Sequence, residues 1–202
     1  MSARPRIAGI VLAAGRSSRM GPRNKLLEAI DGEAMVRRIA AIALGSGADP
    51  IVVVTGHEAA EITAALRGLD VTLIHNPDYA DGLSSSLRAG LSALPSGIDG
   101  ALILLGDMPE VQTSVLSDLM AAFTGESAIC VPVRHGRKGN PVLWGRSYFA
   151  EMRELTGDVG AKPLMSRYEA QLIEIEVATD SIFHDVDAPE DLSRIRQPGT
   201  VG

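Results

Sequence analysis

The feature that most constrains this chain is a set of short aliphatic runs that are apolar at nearly every position. They occupy residues 7–12, 51–54, 71–74, 101–105 and 128–131 of 202. A strand with one wet face alternates apolar and polar side chains, whereas a strand covered on both faces does not. Between the runs, Val115, Leu116, Leu119, Met120 and Phe123 recur at helical spacing, and Ile62 and Leu66 do so on a shorter segment. Strand–helix alternation of this kind predicts an α/β fold with a mostly parallel sheet flanked by helices.

The pattern loosens after Pro132. Gly136, Gly139, Asn140, Pro141, Gly157 and Gly160 punctuate short segments, with strands expected over 172–177 and 182–186. A last helix should start near Pro189 and turn Leu192 and Ile195 inward. We read this half as an extension of the same sheet, giving one domain over residues 1–196 and a frayed tail over 197–202. Hydrophobic residues at 46% suffice for a core, built from Ala, Val, Ile and Leu because aromatics are only 3%.

Charge narrows the function. The formal net charge is −6, which counts against a nucleic-acid binder, and few aromatics are left to stack on bases. Cys130 stands alone in AICVPV, so there is no disulfide framework and no cysteine zinc site; it reads as a small buried hydrophobe. No apolar run reaches the ~20 residues that a membrane span needs. Arg4 and Arg6 before IAGIVLAAG imitate a signal peptide, but a buried strand feeding a glycine turn explains them better, and a cytoplasmic protein is expected.

The strongest local signal follows the first strand: Leu12-Ala13-Ala14-Gly15-Arg16-Ser17-Ser18-Arg19-Met20-Gly21, then Asn24-Lys25-Leu26-Leu27. In an open parallel sheet, ligands bind beyond the carboxyl ends of the strands. A turn of small residues there lets backbone N–H groups approach phosphate oxygens. Arg16, Arg19, Arg23 and Lys25 place four cations within ten residues of an otherwise acidic chain, suited to a polyphosphate. The spacing is neither the dinucleotide fingerprint nor the P-loop.

LAAGRSSRMG followed by NKLL resembles the signature of the MobA-like nucleotidyltransferases, above all their molybdenum cofactor cytidylyltransferase branch. The resemblance runs through GLSSSLRAG (82–90), LGDMP (105–109), GRKGNPV (136–142), GDVGAK (157–162) and DVDAPED (185–191). In the last motif Ala188 stands where the family usually has Thr, which removes any hydroxyl contact there. The resemblance implies a Rossmann-like, single-domain fold of the nucleotide-diphospho-sugar transferase kind. Its amino-terminal half would bind nucleotide, and residues of about 132–190 would supply acceptor-side loops. It also implies Mg²⁺-dependent transfer of CMP from CTP to the phosphate of molybdopterin with loss of pyrophosphate. The product would pass to a molybdoenzyme or its chaperone. Ala14 carries the choice of CTP, since the guanylyl branch tends to have Gly there. Other acceptors, a sugar phosphate or a methylerythritol phosphate, share the first loop, and a nucleotide-binding delivery protein is the non-enzymatic alternative.

The remaining candidates each have two readings. Asp107, after ALILL and Gly106, suits a hard Mg²⁺ ion at a strand end, or caps a helix before Met108 and Pro109. Asp187 is either a second metal ligand or the head of a D-x-x-E capping box ending at Glu190, with Asp185 as fallback ligand. Among Ser84, Ser85 and Ser86 one should cap the helix that follows, and the resemblance assigns Ser86 to the nucleotide. Asn76 reads as a base or ribose contact, or as an Asn-Pro turn. Arg137, Lys138, Gly139, Asn140 and Lys162 would border the acceptor side, or lie on solvated loops. His57, His75, His135 and His184 lack metal-ligand spacing. Attack by a phosphate, already an anion, needs no general base. The expected machinery is therefore Ala13, Ala14 and Gly15 cradling the triphosphate, with Arg19 and Lys25 offsetting its charge.

Overall fold

The computed structural model describes residues 4–16 and 24–196. The expected frayed tail and Arg19 lie outside them. The chain runs through β1 (Ile7–Ala13), a small hairpin of β2 (Ala29–Ile30) and β3 (Glu33–Ala34), α1 (Met35–Gly45), β4 (Ile51–Thr55), α2 (Ala59–Ala65) and β5 (Thr72–His75). It continues with α3 (Leu83–Ser92), β6 (Gly100–Leu105), α4 (Thr113–Ala121), β7 (Ile129–Arg134), β8 (Arg137–Lys138) and β9 (Val142–Gly145). The last elements are α5 (Phe149–Arg153), α6 (Lys162–Arg167), β10 (Leu172–Glu176) and α7 (Pro189–Arg196).

The main sheet has the order β10-β7-β9-β6-β1-β4-β5, with β8 paired to β7. β1 runs parallel to both β4 and β6, β4 is parallel to β5, and β7 is parallel to β10. β9 is antiparallel to both β6 and β7. The uninterrupted apolarity of β1 has its explanation in two cores, one on each face of the sheet. Val11 and Ala13 face α1, α2, α4 and α7, whereas Ile10 and Leu12 face α3, α5 and α6. Each fully buried Ile or Leu contributes about 1.5–3 kcal/mol, so the central strands hold the layers together. The mostly parallel sheet flanked by helices is the architecture expected. Among the described residues no helix is long and apolar enough to cross a membrane.

Three local features differ from the sequence reading. The strand expected over 182–186 is a short 3-10 turn (Asp180–Phe183) followed by irregular chain. Ile182 and Val186 are apolar because they plug the core, held by single backbone bonds from Asn140 N–H to Ile182 O (3.0 Å) and from Val186 N–H to Asp107 O (2.9 Å). β5 is an edge strand, so its Leu73 is 37% exposed despite the apolar run. β9, inserted between β6 and β7, escaped notice because its four residues follow a glycine-rich loop and carry no helix-crossover spacing.

One close approach sets how the site wall sits on the sheet. A Cβ at Gly90 of α3 would fall 2.6 Å from Ile10 Cγ2 and 3.1 Å from Val54 Cγ2. Both neighbours are buried, branched and held in their strands, so α3 would have to lift. In an open helix Gly→Ala gains about 1 kcal/mol. Here Gly90→Ala is expected to destabilise the protein by about 1–3 kcal/mol, read from urea unfolding midpoints.

Candidate active site

The carboxyl ends of β1, β4 and β6 share one edge of the sheet, and the loops leaving them are tied together by their backbones. Gly106 N–H donates to Leu12 O (3.0 Å) and His57 N–H donates to Ala14 O (3.2 Å). Between these loops and the N-terminus of α3 opens a cleft of about 670 Å³. Leu12, Ala14, Gly15 and Arg16 enter it from the first loop, with Lys25, Ser86, Asp107 and Asp187. Ala13 belongs to the strand face below, buried against the α1 side.

Lys25 stands in a single 3-10 turn whose start is capped by Asn24, the side chain accepting from Leu26 N–H at 3.1 Å. Leu26 is buried and anchors the turn. From this base Lys25 Nζ donates to Asp107 Oδ2 at 2.8 Å and to Asp187 Oδ1 at 2.9 Å. The side chains are 13%, 22% and 40% exposed respectively, so water screens the pairing only in part. Burial by itself would lower the lysine pKa, but the charge and hydrogen bond of Asp107, joined by those of Asp187, raise it above its ordinary value. The ammonium is therefore charged at neutral pH.

For both aspartates the capping geometry expected from the sequence is not what the structure has. After β6 the chain makes a turn, and no helix starts until Thr113, so Asp107 caps nothing. Its Oδ1 is buried and has no hydrogen-bond partner among the described residues. The Asp187 N–H does not go to Glu190, as the D-x-x-E box would require. Instead Asp191 Oδ2 accepts from the N–H groups of Asp187 and Ala188, each at 3.0 Å, and this leaves the Asp187 carboxylate facing Lys25. Those two backbone bonds hold the Asp191 carboxyl below the usual carboxylate range. Asp185 is exposed and does not line the cleft.

Other candidates lie elsewhere. Asn76 is buried: its Nδ2 donates to Ser85 Oγ (2.9 Å) and Ser86 Oγ (3.1 Å), and its Oδ1 accepts from Asp78 N–H (3.0 Å). It braces the α3 turn behind the cleft wall. No serine caps α3. Asp158 Oδ1 accepts from Leu83 N–H (3.0 Å), and Gly157 O accepts from Ser84 N–H (3.1 Å). This clasp requires Gly82, whose φ is 102° and whose Cβ would lie 2.6 Å from Gly157 C and O. Lys138 is paired with Glu174 (3.2 Å) and Glu169 (3.4 Å), Gly139 packs on Ile182, and Lys162 is exposed on α6. Neither these three nor Asn140 lines the cleft. The sequence reading missed Tyr79, Asp81 and Asp158 as cleft residues. The glycine beside Asp158 and the one after Asp81 were the available signals. Arg16 carries its guanidinium 6.0 Å from the centre of the Tyr79 ring, at the cleft mouth.

Because Asp191 has a lowered pKa, its stabilisation is complete above the unfolded carboxyl value of about 3.9 and fades as pH falls through the lower folded value. Asp191→Ala should therefore shift the urea midpoint downward at pH 7. The gap from the unaltered protein should close as pH drops below about 4.

The chain is similar to several known proteins. The Escherichia coli (strain K12) molybdenum cofactor cytidylyltransferase is 28% identical over 184 residues, covering 90% of this chain and 91% of that one. The purine catabolism protein PucB of Bacillus subtilis (strain 168) is 30% identical over 202 residues, covering 96% and 97%. Among solved structures, Rv0371C of Mycobacterium tuberculosis H37Rv in complex with manganese superposes with a TM-score of 0.77 at 27% identity, covering 94% of this chain and 97% of that one. Residues 9–172 match the MobA-like NTP transferase domain, and the chain belongs to that family of nucleotidyltransferases.

Proposed function

We propose that the protein transfers CMP from CTP to the phosphate of molybdopterin or the molybdenum cofactor, releasing pyrophosphate. The observation that carries the reading is the Lys25 ammonium held between Asp107 and Asp187, at the sheet edge where the Leu12–Arg16 loop enters the cleft. The choice of acceptor rests on GRKGNPV and GDVGAK together with the E. coli relative, which matches over nearly its whole length.

The chemistry asks for alignment and charge compensation rather than a base. An acceptor phosphate attacks the α-phosphorus of the nucleotide, and both partners are anions. Backbone N–H groups of the small-residue turn after β1 approach the triphosphate closely, since Ala14 and Gly15 put little in the way. Lys25 offsets charge that grows on the leaving pyrophosphate, and Arg16 and Arg19 add positive field. Ala14 narrows the space beside the base by one methyl group.

The donor set fits a divalent ion. Asp107 and Asp187 bring hard carboxylate oxygens to one point, and Asp107 Oδ1 is a buried acceptor with no partner among the described residues. Asp107 and Asp187 would hold Mg²⁺, which when bound neutralises phosphate oxygens and orients them for displacement.

Pyrophosphate release with Mg²⁺, molybdopterin and each of CTP, GTP, ATP and UTP tests the reading, and CTP alone is expected to support turnover. Preference for GTP would remove the role given to Ala14. Silence with molybdopterin but turnover with a sugar phosphate or methylerythritol phosphate would replace the acceptor. Lys25→Ala should lower kcat by about 10²–10³-fold while weakening nucleotide binding by less than about tenfold.

A further inference from the structure

The two carboxylates suited to a divalent cation already hold a monovalent one. Lys25 Nζ lies within 2.9 Å of both, and its side chain is largely buried. A divalent ion set beside the ammonium would press two cations against the same oxygens, in a site that water screens only in part. Mg²⁺ gives up its water reluctantly, so a site still held by a competing cation is a weak one. The lysine can leave without unfolding its turn, because the anchor is Leu26 and the Asn24 cap rather than the ammonium. Lys25 also lines the cleft, where a triphosphate offers it other oxygens.

Resting on the nucleotidyltransferase reading above, we infer that Lys25 is a resident counter-ion which a divalent metal must displace, so that the metal enters productively only with the triphosphate. The exchange makes metal binding and nucleotide binding cooperative through one side chain. Asp107 Oδ1, buried and unpaired among the described residues, is the carboxylate oxygen that Lys25 leaves unengaged while it occupies Oδ2. Without nucleotide the ammonium keeps the two carboxylates together and the strap carrying Asp187 closed on the sheet edge.

Equilibrium dialysis of Mn²⁺ against nucleotide-free protein tests the exchange. Lys25→Met should bind Mn²⁺ at least about tenfold more tightly than the unaltered protein, a typical coupling between two ligands. Lys25→Arg, which keeps the charge, should stay close to the unaltered value. Equal or weaker Mn²⁺ binding by Lys25→Met would overturn the inference. If Lys25→Met does not fold, acylation of Lys25 in the unaltered protein, followed by mass spectrometry, takes its place. Labelling should rise when Mn²⁺ saturates the site, and unchanged labelling would count as refutation. Dialysis repeated with CTP separates the two ideas. Protein-bound Mn²⁺ with CTP, but no gain in Lys25→Met without it, discards the exchange and leaves the enzymatic reading standing. No protein-bound Mn²⁺ with or without CTP removes both.

Discussion

Much of the site depends on one ammonium group. Lys25 is separated by 82 residues from Asp107 and by 162 from Asp187, yet its Nζ reaches both. Asp107 is placed by the end of a central strand, which cannot shift without disturbing both cores. Asp187 is placed by a turn that Asp191 pins through two backbone N–H groups. The ammonium lets two carboxylates converge that would otherwise repel, and it draws the chain after residue 183 onto the sheet edge. A second tie, from Val186 N–H to Asp107 O, keeps that strap in register.

The opposite wall is built from backbone rather than charge pairs. Gly82 and Gly157 approach so closely that a side chain on the first would collide with the carbonyl of the second. Through this contact the loop before α6 supplies the cap that α3 lacks in its own sequence. Asn76 then holds Ser85 and Ser86 from beneath. The cleft therefore has one wall set by electrostatics and one set by hydrogen-bonded backbone, with Tyr79 and Arg16 at its mouth.

Fold class was legible because burial on both faces leaves a local mark. Val11 and Leu12 must both be apolar once helices cover both sides of β1. The same logic misled at residues 182–186, where Ile182 and Val186 are buried as isolated plugs held by single backbone bonds. It also gave no warning that the run at 71–74 would lie at an edge, since edge position depends on which strand comes next in the sheet. In the site, Lys25, Asp107 and the loop from Leu12 to Arg16 were legible as chemistry that follows strand ends. Asn76, Lys138 and Lys162 were chosen for residue type and motif; packing gave Asn76 and Lys138 other partners and left Lys162 exposed on α6.

The sequence by itself determined the alternation of strands and helices, the cationic loop after the first strand, and the presence of carboxylates where strands end. These are written in neighbouring residues, because burial period and turn chemistry act over a few positions. Tertiary structure alone decided that β9 enters the sheet antiparallel and that Asp158 caps α3. It also decided that Lys25 meets both aspartates. Each of these joins groups far apart in the chain, and their distance in space depends on how the layers pack, not on any local pattern.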